Sequence, residues 1–255
     1  MLEALYQGAL QDSEANRANF PEPVLLRQID ARPAAINALE VLAPRSKVHV
    51  LAEIKRASPS RGALAEINDP VALAKVYSEN GASAISVLTE TRKFKGSLED
   101  LRLVRDAVSV PLLRKDFIST EYQLLEARAS GADIFLLIVA GLSEKHILQL
   151  KNFGEQLGMT AFIETHSAEE VRIALGCGAE LLGINARDLQ TFETDRDLFG
   201  KLVDLVPANV IKVAESAVRD SRDVLRYRQQ GADVVLVGEA LVTSDSGATL
   251  RSFLE

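Results

Sequence analysis

The stretch Pro111–Val139 reads PLLRKDFISTEYQLLEARASGADIFLLIV. It opens on an apolar run that ends in charge, Leu112 to Phe117. A helical pattern begins after Ser119, Gly131-Ala132 closes it, and a second apolar run fills Ile134–Val139. Continuous apolar character suits strands covered on both faces, as in a parallel sheet. Glycine at the helix end can take the left-handed conformation that stops it. The unit is strand, helix, strand.

The unit recurs on both sides of this stretch. The runs are Val48–Lys55, Ser83–Glu90, Pro111–Phe117, Ile134–Val139, Thr160–Thr165, Leu181–Arg187, Val210–Ser216 and Val234–Leu241. Gly81-Ala82, Gly131-Ala132, Gly178-Ala179 and Gly231-Ala232 precede every second run. Asp69-Pro70 sets a cap before a first-turn proline, and Ser167-Ala168-Glu169-Glu170 reads as a capping box. Ser97, Ser119 and Ser143 stand ahead of other helical patterns. The alternation predicts an α/β fold closed as a (β/α)8 TIM barrel. An open doubly wound sheet is the rival, but no Gly-rich dinucleotide turn follows the first run. Residues 1–47 fit no such unit. They predict an N-terminal extension packed on the barrel, with short helices near Leu2–Leu10 and Ala35–Leu42 and a break at Pro21-Glu22-Pro23. Residues 48–255 form the barrel, and the whole reads as one domain.

Composition narrows the function. The 255 residues hold 29 Lys+Arg against 36 Asp+Glu, a net charge of −7, with 47% apolar and 25% charged residues. That is a globular chain and not a disordered one. An acidic balance argues against nucleic acid as the partner, because a phosphate backbone needs a basic face. No apolar run approaches the roughly 20 residues that span a bilayer, and the first residues do not form a secretion signal. The one cysteine, Cys177, cannot close an internal disulfide, so a reducing, cytoplasmic compartment is expected. It reads as a small spacer at a helix end. His49, His146 and His166 are scattered without metal-ligand spacing, so no metal is expected.

Active sites of such barrels lie at the C-terminal ends of the strands. Those ends are charged here. Glu53 and Lys55 share one face of their strand, as do Lys115 and Phe117. Glu164, Asn185, Arg187, Glu215 and Ser216 end other strands. Ionisable groups gathered in one mouth are costly unless they pair or bind something. Ser216 and Gly238-Glu239 fall where barrels of this kind hold phosphate, and Ser58–Gly62 is a hydroxyl-rich loop suited to an anion. His166, two residues past Glu164, is within reach of the mouth, but its position reads more readily as the start of a helix. The basic loop Thr91–Gly96 has no evident role.

The segments 52–62 (AEIKRASPSRG), 113–118 (LRKDFI) and 183–189 (GINARDL) resemble the indole-3-glycerol phosphate synthase family. The segments 86–90, 162–166 and 237–241 agree in order. The resemblance covers roughly 48–245. It implies ring closure, decarboxylation and dehydration of 1-(2-carboxyphenylamino)-1-deoxyribulose 5-phosphate, with no cofactor. It implies Lys115 as general acid and Glu164 as general base. Lys55 would place the substrate carboxylate, Glu53 would orient the lysines, and Asn185 and Glu215 would hold the sugar. Arg187 would add positive charge, and Phe94, Phe117 and Leu136 would line the anthranilate pocket. Ser58, Ser216, Ala217, Gly238 and Glu239 would surround the phosphate. The partner implied is a small phosphorylated molecule, with neither nucleic acid nor membrane, and the chain a monomer or weak homo-oligomer. The family usually has glycine where Ala217 stands, so a positive φ there would strain the loop and weaken phosphate binding. Three other readings stay open from the residues: a phosphoribosylanthranilate isomerase-like barrel, a Schiff-base aldolase using Lys115, and a phosphate-binding barrel without catalysis.

Overall fold

A computed structural model describes residues 1–189, 191 and 193–255. Eight parallel strands close a barrel: β1 (His49–Ile54), β2 (Ala84–Leu88), β3 (Leu112–Lys115), β4 (Ile134–Ile138), β5 (Thr160–Thr165), β6 (Leu181–Asn185), β7 (Ile211–Glu215) and β8 (Val234–Val237). Each pairs with its sequence neighbours, and β8 returns to β1. The expected closure is therefore the observed one. The open sheet is not formed.

Helices alternate with the strands. They are α4 (Pro70–Glu79), α5 (Leu98–Ala107), α6 (Glu121–Ala129), α7 (Glu144–Gln156), α8 (Ala168–Gly176), α9 (Leu198–Leu202), α10 (Ser221–Gln229), α11 (Glu239–Val242) and α12 (Ser246–Leu254), numbered after three N-terminal helices given below. Their starts follow cap chemistry. Asp69, Ser97, Ser143 and Ser167 each accept a backbone N–H of the first turn. Two expectations shift. Thr120 and not Ser119 caps α6, through a reciprocal box with Gln123. The box at Ser167 is half formed, because the Glu170 carboxylate turns to the His166 backbone N–H instead. Gly81, Gly131, Gly178 and Gly231 all have φ between 73° and 98°, the conformation that ends the preceding helix.

Strand alternation divides the core. Val50, Ala52, Ile85, Val87, Phe135, Leu137, Ile163 and Val235 face the helices. Leu51, Ala84, Leu113, Ile134, Phe162, Leu181, Val213 and Val234 face the barrel axis. Continuing that inner parity toward the C-terminal ends gives Glu53, Lys115, Glu164, Asn185 and Glu215. The barrel is thus apolar in its lower layers and charged at its mouth, within the same strands.

The N-terminal segment differs from expectation in extent. Helix α1 runs Leu2–Asn19, well past Leu10, and α2 (Glu22–Asp30) was not expected at all. Pro21-Glu22-Pro23 does break the chain, but it also starts α2. Proline is tolerated in a first turn, whose N–H groups lack helical partners. The predicted helix near Ala35–Leu42 is the single turn α3 (Ala38–Val41), capped by Asn37. Leu25 of α2 packs on Tyr122 and Leu125 of α6. Tyr6 of α1 meets the Phe117 ring edge-on at 5.6 Å.

The last strand also ends early. The run read as Val234–Leu241 stops at Val237, and Gly238 turns the chain into α11. The apolar residues Ala240 and Leu241 belong to that helix.

Candidate active site

The inner-facing strand ends open into one cavity of about 990 Å³. Its lining includes every residue singled out from the sequence: Glu53, Lys55, Ser58, Phe94, Lys115, Phe117, Leu136, Glu164, Asn185, Arg187, Glu215, Ser216, Ala217, Gly238 and Glu239.

Lys115 stands at the centre. Its ammonium lies 2.6 Å from Glu215 Oε2 and 3.2 Å from Glu164 Oε2. Burial opposes its charge, but Glu215, Glu164 and Glu53 outweigh burial and hold it protonated far above the ordinary lysine range. One ammonium does not keep two buried carboxylates equally ionised. Glu164 has further support: Asn185 Nδ2 donates to its Oε1 at 3.0 Å, and His166 Nε2 lies 3.2 Å from the same oxygen. Against its own burial, Lys115 first and then His166 and Asn185 pull Glu164 well below the usual carboxylate range. Glu215 lacks that support. Burial and the neighbouring Glu164 charge push it up to about 8. The site therefore holds an ionised carboxylate, a protonated one and an ammonium within contact of each other.

Across the mouth, Glu53 and Lys55 form a second pair at 2.5 Å. Two glycines make room for these charges. A Cβ on Gly238 would lie 2.4 Å from Glu53 Oε2, and one on Gly183 would lie 2.3 Å from Glu215 Oε1.

An apolar wall stands to one side. Phe94 and Phe117 approach at 6.1 Å, with Leu136 beneath. The basic loop that carries Phe94 is held by its backbone. The buried Glu90 carboxylate accepts from the N–H groups of Arg92, Lys93 and Phe94. Arg92 and Thr91 in turn bind Asp12 of α1.

The opposite side is rich in hydroxyl and guanidinium groups. Ser216 Oγ donates to Asn185 Oδ1 at 2.8 Å, and the Arg187 guanidinium reaches Ser60 at 3.0 Å. Ser216 and Ala217 have φ of 66° and 61°. For an alanine this costs about 1–2 kcal/mol relative to glycine. Arg61 pairs with Glu239 at 2.5 Å, joining the loop after β1 to the first turn of α11.

Sequence reading missed two contributors and weighed a third, His166, against a helix start. Arg196 and Arg219 line the cavity from loops after β6 and β7, where no strand period marks them. His166 does begin the turn before α8, as expected, but its ring also reaches Glu164. It keeps the inner parity of Glu164 one step past the end of β5, and that parity was the available signal.

Comparison with known proteins agrees with the geometry. The family pattern described as Indole-3-glycerol phosphate synthase matches residues 2–253. A protein of that name from Leifsonia xyli subsp. xyli is 55% identical over 253 residues, 99% of this chain and 97% of that one. One from Mycolicibacterium vanbaalenii is 51% identical, covering 96% and 89%. Among solved structures, thiamine phosphate pyrophosphorylase from Pyrococcus furiosus aligns with a TM-score of 0.63 at 16% identity, covering 81% of this chain and 93% of its own. That likeness is one of fold.

Proposed function

The chain belongs to the indole-3-glycerol phosphate synthase family, whose reaction is the ring-closing decarboxylation and dehydration of 1-(2-carboxyphenylamino)-1-deoxyribulose 5-phosphate, and from that premise we propose how its residues divide the work. The observation that carries the assignment is the Lys115 ammonium held between Glu164 and Glu215 at the base of the cavity.

Carbonyl attack by an aromatic carbon needs a positioned acid. Lys115 gives its proton to the ribulose carbonyl oxygen as the ring closes. Loss of CO2 then restores aromaticity, so the protein need only orient the carboxylate, and Lys55, across the mouth from Lys115, is the cation placed to do so. Glu53 sets the position of Lys55. In the dehydration Glu164 takes the ring proton and Lys115 protonates the departing hydroxyl. Asn185 and Glu215 hold the sugar and keep Glu164 and Lys115 in register. Phe94, Phe117 and Leu136 receive the anthranilate ring. Ser58, Ser216, Ala217, Gly238 and Glu239 surround the phosphate, with Arg187 adding positive charge. No cofactor enters this scheme, because two lysines and three carboxylates supply both acid and base.

We further propose that residues 1–47 act as an extension of a single-domain barrel at 48–255. The chain works as a cytoplasmic monomer or weak homo-oligomer. Among the described residues no helix is long and apolar enough to cross a membrane. The exposed Leu26, Leu103, Leu148 and Leu225 sit singly on different helices.

Mixing the protein with this substrate in chelator-containing buffer is expected to produce indole fluorescence at a rate proportional to enzyme. Substrate binding without fluorescence would overturn the scheme in favour of a barrel that only binds. The strained phosphate loop gives a second expectation. Ala217→Gly should raise stability by about 1 kcal/mol and lower KM severalfold, with kcat unchanged. A melting temperature and KM equal to the parent's would show that the loop carries no penalty.

A further inference from the structure

The proton count of the reaction points to His166. A substrate carboxylate leaves as neutral CO2, and the carbonyl oxygen leaves as water. Each turnover therefore consumes one proton from the medium. Within the site two protons are delivered, one to the carbonyl oxygen and one to the departing hydroxyl. Only one is recovered from the substrate, by Glu164. Lys115 alone cannot deliver both without being refilled while substrate fills the mouth.

His166 stands behind Glu164, outside the cavity lining. Its Nε2 lies 3.2 Å from Glu164 Oε1, and its Nδ1 lies 3.2 Å from Glu170 Oε2. The same Glu170 oxygen accepts the His166 backbone N–H at 2.8 Å. The ring is thus fixed at Nδ1 and free to exchange a proton only at Nε2, toward Glu164. Glu164 in turn touches Lys115 at 3.2 Å.

We propose that the His166 imidazolium is the proton reservoir of the site, refilling Lys115 through Glu164 during a turnover, with Glu170 as its positioning residue. The scheme rests on the assignment of Lys115 as acid and Glu164 as base. Lys115 first protonates the carbonyl oxygen and becomes an amine. His166 then passes its Nε2 proton to the ionised Glu164, and Glu164 hands that same proton on to the Lys115 amine, which leaves Glu164 a carboxylate again. After CO2 departs, Lys115 protonates the leaving hydroxyl and Glu164 takes the ring proton. Glu164 returns that proton to Lys115. Neutral His166 regains one proton from water after product leaves, which closes the balance at one proton per turnover. The charge state agrees: burial opposes the imidazolium, but the close contacts with the Glu164 and Glu170 carboxylates raise its pKa to about 10. The groups facing its ring are Glu164 from β5 and Glu170 from α8. Glu215, beside Lys115, is the competing store.

The test is the pH profile of kcat for His166→Gln, which keeps polar contacts but carries no proton. The expected result is a kcat that falls as pH rises, roughly tenfold below the parent at pH 9 and much closer to it at pH 6, with KM within about twofold. Glu170→Gln, which leaves His166 in place, should shift the profile in the same direction by less. It serves as the readout if His166→Gln does not fold. A parent-like profile in the variants that fold overturns the reservoir, and points to Glu215 as the store. A uniform loss at all pH values would also overturn it, as a merely structural effect. Glu164→Gln is measured alongside. If it keeps turnover, the assignment of the base fails; if it is inactive while His166→Gln is parent-like, only the reservoir fails.

Discussion

Lys115→Met is expected to lower kcat by about 10²–10⁴, the range that a positioned general acid supplies. Methionine keeps most of the length and apolar stem of lysine, so the cavity retains its shape. What is removed is the proton and the charge between Glu164 and Glu215. The two carboxylates respond differently. Glu164 keeps Asn185 and His166. Glu215, already pushed up to about 8 and protonated, stays protonated more firmly without the ammonium that opposed this. The site therefore survives without an unpaired pair of buried charges, and the rate loss reports acid chemistry more than collapse. A melting temperature within a few degrees of the parent should accompany it. Single-turnover fluorescence with enzyme in excess is the measurement. Turnover within tenfold of the parent would remove Lys115 from the role of acid.

Gly183→Ala should be nearly as damaging, though the residue carries no chemistry. Its added methyl would meet Glu215 Oε1 at 2.3 Å and the Phe162 ring at 2.8 Å. Both neighbours are buried, and Phe162 fills the barrel axis. Overpacking of this kind costs about 1–3 kcal/mol, or a fall of roughly 2–4 °C in Tm per kcal/mol for a chain of this size. Displacing Glu215 also shifts Lys115, and a misplacement of about 1 Å can cost 10²-fold in rate. Adding Phe162→Leu relieves the ring contact alone. The double variant should regain stability without regaining rate. Recovery of both together would place the damage in packing and not in the Glu215–Lys115 contact.

The barrel was legible because its signals are local and repeated. Apolar runs marked all eight strands, and four glycines with positive φ marked the helix ends between them. Errors fell where one pattern overlaps another. Val234–Leu241 is apolar on both sides of Gly238-Glu239, and periodicity alone does not separate a four-residue strand from the helical turn after Gly238. Pro21 and Pro23 read as a break, yet a proline in a first turn also starts a helix. At the mouth, inner parity was enough to gather Glu53, Lys115, Glu164, Asn185 and Glu215. Past the strands it extends only to His166, one step beyond β5. Arg196 and Arg219 come from loops with no period, and the Glu164–His166 contact depends on how the chain bends after Thr165. The hold of Glu90 on loop 91–96 is made through main-chain N–H groups, which residue identity does not reveal.

That last feature bears on what the site can be made to accept. A loop gripped by its main chain does not rely on its own side chains for shape. Phe94 is therefore presented on a fixed scaffold whose sequence is free to vary at Lys93 and Phe94, whereas Asp12 holds Arg92 and Thr91, Lys95 has a φ of 56°, and a Cβ on Gly96 would strike the Leu88 backbone. Libraries that vary Phe94 and its neighbour Lys93 would sample new ring-binding surfaces on an unchanged backbone. Anthranilates with bulkier ring substituents are the natural compounds to screen against them.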